Sequence, residues 1–140
     1  MQIDFNRYKK EDAPKKAIIA IHGWGGNKSS FAPFIKNLKI DDVQWFLPEA
    51  PYIIEDNPKK RAWTYKKDSG VWEIDQPMAM MDSFFNDIVF KEYRSQNVYV
   101  FMDFLIKNES RTNPFSNFWN TNITIQFLAI QFGSALNFEQ

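Results

Sequence analysis

One histidine, His22, stands among the 140 residues, in the run Ala17-Ile18-Ile19-Ala20-Ile21-His22-Gly23-Trp24-Gly25-Gly26-Asn27. An apolar run that breaks into glycines ahead of a helix start reads as a buried strand, a turn and then a helix. Such a turn presents backbone N–H groups to an anion. Acyl transfer by a serine needs more than that. It needs a base to take the hydroxyl proton, a group to orient the base, and donors for the developing oxyanion. The chain contains no cysteine, no second histidine and no Gly-x-Ser-x-Gly, so only the donors are on offer. With no nucleophile to serve, His22 is expected to be a hydrogen-bonded structural residue. Ser134 has a single flanking glycine and no base, and reads as a turn or surface serine. Ser29 and Ser30 read as helix caps, while Glu73/Asp75 and Asp82/Asp87 occupy helix starts or polar faces where carboxylates are ordinary.

The elements that must position this turn follow from periodicity. Ile3 to Tyr8 reads as a short edge strand, and Ala17 to Ile21 as a strand buried on both faces. After the turn, Asn27 or Ser29 is expected to cap a helix with apolar positions at Phe31, Phe34, Ile35 and Leu38, and Pro33 fits its first turn. Val43 to Leu47 reads as the next strand, stopped by Pro48 and Pro51. Tyr52 to Gln76 reads as loop, with turn signals at Asn57-Pro58 and Ser69-Gly70 and with Trp63, Tyr65 and Trp72 to bury. A helix is expected over Pro77 to Ser95, with a stripe of Met81, Phe84, Phe85, Ile88 and Val89, and then a strand over Val98 to Phe101. This order is what a parallel sheet covered by helices produces.

Composition narrows the function. The chain is 44% hydrophobic and 17% aromatic, enough for one core, and its 17 basic and 17 acidic side chains cancel. The clusters Lys9/Lys10, Lys15/Lys16 and Lys59/Lys60/Arg61 are too short to predict a nucleic-acid partner. Without cysteine and with one histidine, no metal site of the usual zinc kind is expected. The first sixteen residues are charged, and no apolar stretch reaches membrane-spanning length, so the expectation is a cytoplasmic protein without a membrane span. After residue 101 the character changes. From Asn108 to Gln140 asparagine and phenylalanine dominate, and Gly133 is the only glycine. Residues 102–140 therefore read as a divergent tail that is either a small edge addition or unordered, and a sheet cut off there is expected to be poorly soluble, to self-associate or to recruit Ile123 to Phe132 as an edge strand.

Three segments, Ile21 to Asn27 (IHGWGGN), Leu47 to Pro51 (LPEAP) and Arg61 to Tyr65 (RAWTY), occur in an order and spacing that resembles the phospholipase/carboxylesterase group of the α/β-hydrolase superfamily, which includes acyl-protein thioesterases. The likeness covers residues 1–101, the N-terminal part of such a domain. It implies an oxyanion loop formed by His22, Gly23, Trp24, Gly25 and Gly26, with the Trp24 N–H as one donor. Trp63 and Tyr65 then either line the substrate cleft or pin their loop to the core. The family hydrolyses carboxylic esters or thioesters of small molecules through an acyl-serine, without metal or organic cofactor. Its serine sits in a glycine-flanked elbow after the strand that here ends near Phe101. The sequence at that place is Phe101-Met102-Asp103-Phe104-Leu105, so no catalytic residue is assigned. A loop of oxyanion donors alone leaves only a modest acceleration. Three accounts follow: a degenerate hydrolase whose reading frame was lost near residue 102, a non-catalytic binding or regulatory module that keeps the cleft, or an active hydrolase using an unusual site. A sheet cut at its centre also leaves an unpaired edge through which copies could associate.

Overall fold

A computed structural model describes residues 2–102 and the strand Gln126–Leu128. Strands β1 (Phe5–Lys9), β2 (Lys16–Ile21) and β3 (Val43–Pro48), then β6 (Val98–Met102) and β7 (Gln126–Leu128), form one sheet in the order β1-β3-β2-β6-β7. Four of them, β3, β2, β6 and β7, run parallel, and β1 is antiparallel on β3. The run Ala17 to Ile21 is buried throughout because β2 lies between β3 and β6 with helices on both faces. The expected edge strand is present two residues further on, and Gln126–Leu128 falls inside the stretch expected as an edge addition.

Strand alternation sorts the core into two layers. Ala17, Ile19, Ile21, Phe46, Val98 and Val100 face the long helix, and Ile18, Ala20, Trp45, Leu47 and Phe101 face the short helix α1 (Ala32–Asn37). The long helix begins as α2 (Asp75–Phe84), continues through a wider π-type turn at Phe85–Val89 and ends at Phe90–Glu92. Met81, Phe84, Phe85 and Val89 are buried as the stripe predicts, and Ile88 is half-buried. Arg7 ties the end of this helix to the sheet. Its guanidinium binds both Glu92 carboxylate oxygens, at 2.9 and 2.7 Å, while lying 4.9 Å from the centre of the Phe46 ring.

Three expectations are corrected. Tyr52 to Gln76 is not simply loop: β4 (Tyr52–Ile54) and β5 (Asn57–Ala62) pair antiparallel, and a second hairpin brings Lys66 opposite Trp72. The turn of the first hairpin is Glu55-Asp56, not Asn57-Pro58. Both residues have positive φ, 55° and 50°, as a type I′ turn requires. Propensity misses it because Glu and Asp rarely hold that conformation. Ser69-Gly70 does turn, with Gly70 at φ 84°. Finally, Asn27, Ser29 and Ser30 do not cap α1. Phe31 occupies the cap position without a side-chain bond. The Asn27 Oδ1 accepts from the Ser29 N–H and the Ser30 Oγ from the Asn27 N–H, both at 2.8 Å, because the chain turns once more before the helix begins.

Candidate oxyanion loop

The end of β2 delivers His22 into the interior, 2% exposed. Its Nε2 accepts the Ala50 N–H at 3.0 Å. A backbone amide can only donate, so the ring proton sits on Nδ1 and is donated to the Gly23 carbonyl at 2.8 Å. The His22 carbonyl accepts the indole N–H of Trp63 at 2.8 Å, and the two rings lie 5.4 Å apart. Both ring nitrogens therefore hold backbone groups, which is the structural role expected of a lone histidine.

Beyond His22 the chain reverses in four residues. The Gly26 N–H reaches the Gly23 carbonyl at 3.1 Å, and Gly25 has φ 83°. A positive φ at the third position defines a type II turn with Trp24 and Gly25 at its centre, and there glycine is the residue that fits without strain. At Gly26 the requirement is space: a Cβ would stand 3.0 Å from Ser30 Oγ and 3.1 Å from the His22 ring. The turn is stitched to β5, because the Gly25 N–H donates to the Arg61 carbonyl and the Arg61 N–H to the Gly26 carbonyl, each at 2.9 Å. The Asn27 amide adds a bond to the Lys59 carbonyl at 2.8 Å. The N–H groups of Gly25, Gly26 and Asn27 are thus engaged. That of Trp24 meets no acceptor among the described residues, and its side chain is 63% exposed.

The three segments singled out in the sequence meet at this point. His22 joins the first to the second through Ala50 and to the third through Trp63. Arg61 joins the third back to the first by its backbone, and its guanidinium stands 3.9 Å from Glu49 in the second. Around them lies a charged rim. The Lys28 ammonium, 2.5 Å from Asp4, holds that carboxyl below its usual range. The Lys67 ammonium, 2.7 Å from Glu73, does the same there, helped by the Gln76 N–H.

Of the two aromatics expected either to line the cleft or to pin their loop, Trp63 is buried at 8% exposure and pinned to His22, and Tyr65 is 42% exposed, edge-on to Tyr52 at 4.8 Å. The Tyr52 hydroxyl donates to Gln76 Oε1 at 3.1 Å, and burial pushes it above the ordinary phenol range. Arg61 and Ala50 were not singled out, since their contribution is made by the backbone and no side-chain motif announces it. Ser134 lies outside the described residues. Among the described residues no group of three or more His, Asp or Glu side chains could hold a metal ion, and no helix is long and apolar enough to cross a membrane.

No family model matches the chain, and no curated protein matches it by sequence. Solved structures do. The chain is similar to esterase PE8 (TM-score 0.57, 15% identity, covering 73% of this chain and 52% of that one). It is also similar to a Bacillus cereus carboxylesterase (0.51, 14%, 71% and 47%) and to acyl-protein thioesterase 2 from Zea mays (0.50, 17%, 71% and 45%). The chain spans about half the length of each. The described residues therefore form a partial α/β-hydrolase fold, built like that of these esterases and this thioesterase, the fold to which the three sequence segments point.

Proposed function

We propose that this chain carries the oxyanion-binding part of a serine esterase or thioesterase of the phospholipase/carboxylesterase type, and that these 140 residues do not by themselves turn over an ester. The supporting observation is the Trp24 N–H, which meets no acceptor among the described residues and stands in a type II turn whose Gly25, Gly26 and Asn27 N–H groups are engaged. A backbone donor fixed in this way costs no reorganisation when charge develops on a carbonyl oxygen. The acyl group of a small ester or thioester would lie over Gly25, where nothing stands within 4 Å of a would-be Cβ. Without Gly-x-Ser-x-Gly and a second histidine the nucleophile and base used by that group of enzymes are not in place, so on this reading donation alone remains.

Proline is favoured at the second position of a type II turn, so Trp24→Pro removes the donor while keeping the turn, and Trp24→Ala removes the indole while keeping the donor. Butylphosphonate, an anion shaped like the tetrahedral intermediate, is expected to bind the native chain and Trp24→Ala, and to bind Trp24→Pro about tenfold or more weakly, the loss of one charge-assisted hydrogen bond. Isothermal titration of the three proteins reads this directly. Equal binding by the proline and alanine variants overturns the assignment of the donor. Many-cycle turnover of nitrophenyl acetate, with contaminating esterase excluded, overturns the claim that the chain is not a catalyst.

A further inference from the structure

At the opposite end of the strand order, β1 is an edge among the described residues. Its ladder on β3 can be read residue by residue. The Glu49 N–H donates to the Asp4 carbonyl at 2.8 Å, and Asp4 and Glu49 continue the register in which Phe5 faces Pro48. In an antiparallel ladder, bonded and non-bonded pairs alternate. Asn6–Leu47 and Tyr8–Trp45 are therefore bonded pairs, and the N–H and C=O of Phe5, Arg7 and Lys9 point away from the sheet. Pro48 opposite Phe5 agrees, having no N–H to give. Among the described residues nothing accepts from or donates to the Arg7 backbone on that outer side.

Beside this edge, under α1, is a cleft of about 190 Å³ lined by the Arg7 backbone, Asn6, Tyr8, Ile35, Lys36 and Leu47. Asn6 and Tyr8 face it because the strand alternates, which sends the Arg7 side chain to the other face, over Phe46. Ile35 and Leu47 make an apolar floor, and the ammonium of Lys36, which also lines the cleft, has no carboxylate partner among the described residues. Lys9 and Lys10 likewise have none: their ammonium groups bind the Asp12 and Leu38 carbonyls.

We propose that β1 is a docking edge for an extended acidic peptide, which adds as a sixth strand, bonds the Arg7 N–H and C=O through its main chain, and places a carboxylate-bearing side chain in the cleft beside Lys36. Main-chain bonds would supply affinity and the cleft the side-chain choice. Charge selects this occupant: Lys9, Lys10 and Lys36 have no carboxylate partner among the described residues and attract acid.

The probe is a blocked hexapeptide alternating valine and glutamate, compared with one alternating valine and lysine, by fluorescence anisotropy on the full chain. Because proline is tolerated in an edge strand where the N–H faces outward, Arg7→Pro removes the docking donor without breaking the ladder, and Arg7→Ala controls for the lost guanidinium. The glutamate peptide is expected to bind the native chain and Arg7→Ala, to bind Lys36→Glu about tenfold or more weakly through reversed charge, and to bind Arg7→Pro about tenfold or more weakly through a lost main-chain bond. Lys36 is on the surface, so its variant reports even if Arg7→Pro fails to fold. Equal binding by Arg7→Pro and Arg7→Ala, equal binding of the lysine peptide, no binding of either peptide, or self-association abolished by Arg7→Pro each overturns the proposal.

Discussion

At His22 a single residue, through its ring and its carbonyl, fastens three segments that lie far apart in sequence. Removing the imidazole would leave the Ala50 N–H buried without an acceptor and open a cavity against Trp63. His22→Ala is therefore expected to lower stability by roughly 2–4 kcal/mol, read as a shift of the urea midpoint at unchanged slope. The Trp63 bond, made to the His22 carbonyl, would survive the change. That a lone histidine without a nucleophile would be structural is legible in the sequence. That it would hold the Leu47 to Pro51 segment through Nε2 is not, because the partner is a backbone amide 28 residues away.

Among the elements, the strands that build the parallel sheet are the most legible. Ala17 to Ile21 and Val98 to Phe101 are runs of apolar residues that only a doubly covered strand can bury. The hairpin of β4 and β5 is hidden by its composition, since Asn57-Pro58-Lys59-Lys60 is a poor strand by propensity. It is imposed by pairing, with Tyr52 opposite Ala62 on one side and Gly26 bridging Arg61 on the other. Its turn carries strain, because two non-glycine residues have positive φ. Replacing Glu55-Asp56 by Asn-Gly is expected to raise stability by about 1–2 kcal/mol, less a small loss from the exposed Glu55–Lys60 ion pair. A thermal melt of the double variant checks this.

For the whole molecule, the acid arm of the stability curve can be assigned a sign. Glu73 lies below its ordinary value of 4.5, held first by the Lys67 ammonium and then by the Gln76 N–H, and Asp4 lies below 3.8 through Lys28. A carboxylate depressed in the folded state contributes stability that is fully present above the unfolded value and is lost as pH falls through the folded one. Glu73→Gln is therefore expected to be less stable than the native chain at neutral pH and to converge with it once the Glu73 carboxyl is protonated in both the folded and the unfolded state, with a flatter curve below about pH 4.5. Urea unfolding across pH 2–7 measures the convergence, and 1 M salt should reduce the difference, since the Lys67 side chain is exposed.

By itself the sequence determined the buried strands, the long amphipathic helix and the lack of Gly-x-Ser-x-Gly and of a second histidine, because burial is written in periodicity and a motif is read directly from its residues. Only the tertiary structure decided where the Trp24 N–H stands, which amide His22 binds, that the segment after Pro51 is a hairpin, and which backbone groups of β1 face outward. These are matters of main-chain pairing between distant residues. Every residue carries the same N–H and C=O, so the sequence does not mark which will be satisfied and which will be left to bind.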